Sequence, residues 1–130
     1  MILADTHIVV WLAFDSERIS RKAKAAIDAA RNQAQGLAIA SITLMELAAL
    51  ASKKRIRLNI SLESFLAEVE SRFMVLPMTG AICARAVMLP DSYPADPADR
   101  MIAATALVEG IDLVTADGEI RRSRIVKAIW

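Results

Sequence analysis

The sequence predicts a single three-layer α/β domain, a parallel five-stranded sheet with helices on both faces, and three observations carry that prediction. Short apolar runs alternate with longer helical patterns along the 130 residues, the element order of a parallel sheet joined by right-handed crossovers. None of the short runs alternates apolar with polar side chains, so each suits a strand covered on both sides. No linker, repeat or low-complexity tract divides the chain, and residues 1–130 have the length of one domain with a real core.

Taken in order, Ile2-Leu3-Ala4 reads as the first strand and Thr6 to Phe14 as the helix after it. Arg21 to Gln35 is a helical pattern behind a capping Ser20, and Gly36 to Ala40 is the second strand. Ser41 is placed to cap a helix over Ile42 to Lys54, and Ser61 one over Leu62 to Arg72. Phe73 to Leu76 is the third strand. Thr79 then precedes the helix Gly80 to Leu89, and Asp96, followed by Pro97 at the first helical position, opens Pro97 to Glu109. Gly110 stands where that helix should stop. Asp112 to Thr115 and Ile125 to Ile129 supply the last two strands.

Composition narrows the functional classes. Apolar residues make up 55%, aromatics 5% and charged residues 24%, which describes a globular rather than a disordered chain. A net charge of +1 gives no global pull toward nucleic acid or membrane, so binding a polyanion would need local patches. Cys83 is the lone cysteine, which fits a reducing interior. The first residues lack a basic segment and meet Asp5 at once, so no secretory leader is expected. The longest apolar stretches, such as Ile8 to Phe14, fall far short of the ~20 residues a membrane span requires. The expectation is a soluble, cytoplasmic domain.

Four acids interrupt this apolar plan. Asp5 closes the first strand, Glu46 breaks the run Ile42 to Leu50, Asp99 opens the apolar helix Met101 to Val108, and Asp117 follows Leu113-Val114-Thr115. A carboxylate near a core is costly unless paired, hydrogen-bonded or bound to a cation. In open parallel sheets, function gathers at the carboxyl ends of the strands. The end of the third strand carries only Pro77-Met78. A strand order 2-1-3-4-5 would open its crevice there, whereas 3-2-1-4-5 puts Asp5 and Asp117 at the same crevice. The acids favour the second order.

Each acid also has a plainer use. Asp5 can cap the helix at Thr6, Asp99 suits the positive end of its helix, Asp117-Gly118 is a good turn pair, and Asp96 reads first as an N-cap. Glu46 shares a helical face with Ile42, Ala49 and Leu50 and is harder to explain by structure alone. Thr6 and Thr115 are placed to bond carboxylates, though both also suit caps and strand ends. Arg100 is placed to orient a carboxylate or meet a phosphate. His7 has no Cys or second His nearby and is read as a packing or surface residue. Lys53, Lys54, Arg55 and Arg57 form the densest basic cluster, with Arg121, Arg122 and Arg124 a smaller one. Either is a solvated face or the flank of a phosphodiester site. The aromatics are too few and scattered for a base-stacking platform.

Asp5-Thr6-His7, Ser41 through Glu46, Asp96-Pro97-Ala98-Asp99-Arg100-Met101-Ile102-Ala103-Ala104 and Leu113-Val114-Thr115-Ala116-Asp117 together resemble the PIN-domain family, and within it the VapC-type toxins of bacterial toxin–antitoxin pairs. The likeness runs from Met1 to Trp130, and the Asp-Pro-x-Asp-Arg segment is its most specific part. It implies a metal-dependent endoribonuclease with the 3-2-1-4-5 sheet, whose metal-binding acids fall on Asp5, Glu46, Asp99 and Asp117. Asp96 carries over only as a neighbour of the site. Relatives often have an aromatic just before the second acid, where this chain has Met45. The resemblance further implies products with a 5′-phosphate and 3′-hydroxyl, a homodimer, and a cognate antitoxin whose tail enters the acidic cleft.

An all-oxygen donor set suits one or two Mg²⁺ or Mn²⁺ ions. A haloacid-dehalogenase-like phosphatase would need an acid where His7 stands, and a receiver domain would need one where Pro77-Met78 stands. The remaining alternative is a catalytically silent RNA- or protein-binding module of the same fold.

Overall fold

The computed structural model describes Met1–Trp130. Five strands form one parallel sheet: β1 (Ile2–Ala4), β2 (Leu37–Ala40), β3 (Met74–Leu76), β4 (Asp112–Val114) and β5 (Ala128–Ile129), in the spatial order β3-β2-β1-β4-β5. The order argued from the acids is the order found. Seven helices flank it: α1 (Thr6–Phe14), α2 (Arg21–Asn32), α3 (Ser41–Ser52), α4 (Leu62–Arg72), α5 (Gly80–Val87), α6 (Pro97–Glu109) and α7 (Gly118–Ser123). A single 3-10 turn at Ser16–Arg18 links α1 to α2. No helix is long and apolar enough to cross a membrane.

The central strands β2, β1 and β4 bury both faces, while the edge strands β3 and β5 are partly exposed, and the pleat sorts their side chains. Ala4, Leu37, Ile39 and Val114 join Ile8, Ile27, Leu47, Phe65 and Val69 of α1 to α4 in one core. Leu3, Ala38, Ala40 and Leu113 join Ile102, Ala103 and Ala106 of α6 and Ile120 of α7 in the other. Consecutive residues thus serve opposite layers, as period-two geometry requires. This is why no in–out alternation shows in the sequence. Ile8 and Val9 of α1 are buried in the core, whereas Phe14 at the end of the helix is 48% exposed.

Local chemistry explains most boundaries. Ser20, Ser61, Thr79 and Asp96 each accept a backbone N–H bond at their helix starts, and Gly110 ends α6 in the left-handed conformation at φ 67°. Ser41 does not cap α3. β2 runs straight into that helix, Ala40 takes the cap position, and no side chain bonds there. α2 stops at Asn32 because the reversal into β2 places Ala34 and Gly36 at φ 54° and 92°, which no helix accommodates. The short α7 was not expected, since Asp117-Gly118 read as a turn and only Ile120 of the helix is buried.

Candidate active site

The carboxyl edge of the sheet brings distant segments together. Asp5 ends β1 and is 4% exposed. Its backbone N–H bonds the Val114 carbonyl (3.0 Å), which locks it against β4. One carboxylate oxygen, Oδ1, accepts the Thr6 N–H at 2.8 Å; the other, Oδ2, accepts the Thr115 hydroxyl at 2.8 Å. Asp5 is therefore an N-cap and a candidate site carboxylate at once, and both oxygens are aimed.

Glu46 reaches the same edge from the second turn of α3. The Thr6 hydroxyl donates to Glu46 Oε1 at 2.6 Å and also contacts the Thr43 hydroxyl at 3.0 Å. A hydroxyl has one proton to give, so Thr43 donates to Thr6 and Thr6 donates to Glu46. This relay fixes the Glu46 carboxylate from below. Thr43, fully buried, escaped sequence reasoning. Its place three residues before Glu46 on one helix face was the available signal.

Asp99 sits in the first turn of α6, its N–H bonded to Asp96 Oδ2 (3.0 Å), so Asp96 is the helix cap. Burial, then the negative charges of Asp5, Asp96, Glu46 and Asp117, push the Asp99 carboxyl up to about 7. Burial likewise raises Glu46, opposed by the Thr6 bond and aided by Asp5 and Asp96. A cleft of about 310 Å³ is lined by Asp5, Thr6, His7, Glu46 and Asp99, with Trp11, Arg55 and Ile56 among its other walls.

Asp117 lies at the border of this cleft rather than in its lining. Its Oδ1 caps α7 by accepting the N–H groups of Glu119 and Ile120 (2.8 and 3.1 Å), while its charge is felt at His7, Tyr93 and Asp99. Asp117 is thus a helix cap whose charge reaches the cleft from outside its lining.

Two residues depart from the expectation. His7 is no mere packing or surface group. The Ala116 N–H donates to its Nε2 at 2.9 Å, which leaves the ring proton on Nδ1, 3.6 Å from Asp5 Oδ2. Burial lowers its pKa, with Asp5 and Asp117 pulling the other way and Arg18 adding to the fall. Arg100 turns away from the acids altogether. Its guanidinium donates five bonds to the carbonyls of Ala86, Leu89, Pro90, Tyr93 and Pro94 at 3.0 to 3.4 Å. A guanidinium has five N–H groups, so none remains for a carboxylate or a phosphate. Helix direction explains this: Arg100 faces the α5–α6 connection that Asp99 faces away from.

Tyr93, in that connection, is 1% exposed, and its hydroxyl has no hydrogen-bond partner. Burial, with the charges of Asp5, Asp99 and Asp117 against that of Arg100, raises its pKa above the ordinary phenol value. No spacing in the sequence marked it.

Whether these groups suit a divalent cation is decided by their chemistry and their mutual repulsion. The donors are hard carboxylate oxygens, and the raised Asp99 carboxyl records negative charge that a cation would neutralise. No three of them are gathered tightly enough to form a closed ligand set. An open site completed by water and substrate is the habit of Mg²⁺, which keeps several waters and takes few protein ligands. The carboxylates fit a hard divalent cation held in an open site.

The model of the PIN domain family matches residues 2–125. Ribonuclease VapC22 of Mycobacterium tuberculosis (strain ATCC 25618 / H37Rv) is 40% identical over 123 residues, which span 95% of this chain and 92% of that protein. Among solved structures, a toxin–antitoxin complex from Klebsiella pneumoniae has a chain 28% identical, with TM-score 0.62 over 90% of this chain and 87% of its own. VapBC2 from Rickettsia felis, bound to a DNA fragment of its promoter, has a chain sharing the fold with TM-score 0.74 at 22% identity, covering 98% and 97%.

Proposed function

The chain belongs to the PIN-domain family, and from that premise we propose that it is a metal-dependent endoribonuclease, the toxin of a toxin–antitoxin pair. The observation that carries this reading is the shared cleft of Asp5, Glu46 and Asp99, three carboxylates from β1, α3 and α6, with Asp117 at its border. Similarity to a ribonuclease and to a toxin–antitoxin complex supports it.

Asp5 and Asp99 would hold Mg²⁺ or Mn²⁺, with Glu46 and Asp117 completing the set or orienting water. When bound, such an ion neutralises charge at the phosphate and lowers the pKa of a coordinated water. The chain's own part is preorganisation. Thr115 and the Thr6 N–H hold Asp5 in one rotamer, and the Thr43–Thr6 relay does the same for Glu46. His7, neutral and tied to Ala116, buttresses Asp5 without adding charge.

The partners on this reading are an RNA substrate, a second copy of the chain and a cognate antitoxin. An RNA substrate goes with a cytoplasmic site of action. Val87 and Met88 at the end of α5, 83% and 79% exposed, are apolar surface of the kind a protein partner covers.

Purified protein incubated with single-stranded and structured RNAs should cut them with Mg²⁺ or Mn²⁺ and stop on adding EDTA. Asp5→Asn should lose cleavage while keeping the wild-type circular dichroism spectrum. Undiminished cutting by that variant would overturn the assignment. RNA bound but never cut, with either ion, would make the chain a silent module.

A further inference from the structure

The α3–α4 connection carries Lys53, Lys54, Arg55 and Arg57, all exposed. None takes part in an ion pair; Lys127–Asp112 is an ion pair, and His7 beside Asp5 is neutral. Three of the four cations, Lys54, Arg55 and Arg57, line two cavities that share the wall residue Ile56. Arg55 and Ile56 line the acidic cleft, and Ile56 is also a wall of a larger groove of about 740 Å³ bounded by Lys54, Arg57, Asn59 and Leu62. A cationic groove thus adjoins an anionic cleft, with Ile56 as their common wall.

A second observation concerns the backbone. Lys54 has φ 57°, in the left-handed region. It follows the end of α3, where the Arg55 N–H closes back on the Leu50 carbonyl at 2.9 Å. That is a helix stop at which glycine is the unstrained choice. A lysine there is held in a backbone conformation that its Cβ disfavours. Local structure gives no return for it, because its side chain is exposed and unpaired. Strain kept at an exposed cation points to a role outside the fold.

We propose that the groove of Lys54, Arg57 and Asn59 is the track that holds the RNA strand beside the scissile phosphate, with Arg55 at the threshold of the cleft. The inference rests on the ribonuclease reading and deepens it. The physical need is plain: an acidic cleft repels a polyanion, so the flanking phosphates must be held by positive charge outside it. The unpaired cations and the shared wall at Ile56 meet that need, and Asn59 adds amide donors for phosphate or ribose oxygens.

The test combines Lys54→Gly with Arg57→Gln. Lys54→Gly removes the cation and the backbone strain together, so its unfolding midpoint should match or exceed that of the wild type. For a long single-stranded RNA the double variant should raise KM on the order of tenfold with kcat within about twofold. Cleavage of a dinucleotide, too short to enter the groove, should be unchanged. Fluorescence anisotropy of the same RNA on an Asp99→Asn background reads binding without catalysis. There the slope of log affinity against log salt should fall by about 1.4, roughly 0.7 for each lost phosphate contact. Wild-type affinity and an unchanged salt slope in the double variant would overturn the track. Because the anisotropy needs no turnover, a wild-type protein that binds RNA through the groove but fails to cut it would refute the nuclease and leave the groove standing.

Discussion

The Thr115 hydroxyl donates to Asp5 Oδ2 across 2.8 Å, joining residues 110 positions apart at the ends of adjacent strands. The Thr115 hydroxyl oxygen in turn accepts the Asp117 N–H at 3.1 Å, so one buried side chain sets the positions of two candidate site acids.

Thr115→Val keeps the shape and deletes the hydroxyl. It strips a bond from a buried carboxylate and leaves the Asp117 N–H unpaired. The expected cost is about 1–3 kcal/mol in urea unfolding. RNA cleavage should fall roughly 10- to 100-fold, the usual effect of removing a group that orients a ligand. Thr115→Ser should restore most of both.

Asp99 carries a pH signature. Its folded pKa, about 7, lies above the ordinary carboxyl value of 3.8, so between those values the folded chain holds a proton that the unfolded chain has released. Its contribution is complete below 3.8 and is lost as pH rises through about 7. His7 runs the other way: its lowered pKa means that its contribution is present above 6.5 and lost as pH falls through the folded value. In metal-free protein the Asp99 contribution should be lost from acid toward neutral pH against the opposite contribution of His7, and Asp99→Asn should remove that part of the pH dependence while abolishing cleavage. Proton and cation compete for Asp99, so Mn²⁺ affinity should weaken as pH drops below about 7. Calorimetric titration across that range checks it; affinity independent of pH would contradict it.

Arg100→Lys preserves charge but offers at most three donors where five carbonyls are now met. Destabilisation of roughly 2–4 kcal/mol is expected. The loss should appear in chemical denaturation, with added salt giving no rescue, because the partners are carbonyls rather than carboxylates.

Tyr93→Phe removes the one buried side-chain hydroxyl without a partner. Deleting an unsatisfied polar atom while keeping the ring should leave stability unchanged or raise it by about 1 kcal/mol. Clear destabilisation would reveal an ordered water on that oxygen.

How far the sequence could be read depended on the range of the interactions involved. Strand and helix alternation, the caps at Ser20, Ser61, Thr79 and Asp96, and the stop at Gly110 are local chemistry, and they were legible. So was the strand order, because Asp5 and Asp117 carry charge at one sheet edge while Pro77-Met78 carries none. Ser41 was misread because a cap depends on where the preceding strand ends, and α7 was missed because one buried residue makes no pattern.

The sequence by itself determined the fold class, the acids and the segments that carry them, since these follow from apolar periodicity and from the cost of charge near a core. Only the tertiary structure decided which neighbours complete the site. The Thr43–Thr6–Glu46 relay, the grip of Thr115 on Asp5, the turning of Arg100 onto five carbonyls and the seat of His7 all rest on side-chain directions. Those are set by packing between segments far apart in the chain, and packing leaves no periodic trace in the order of residues.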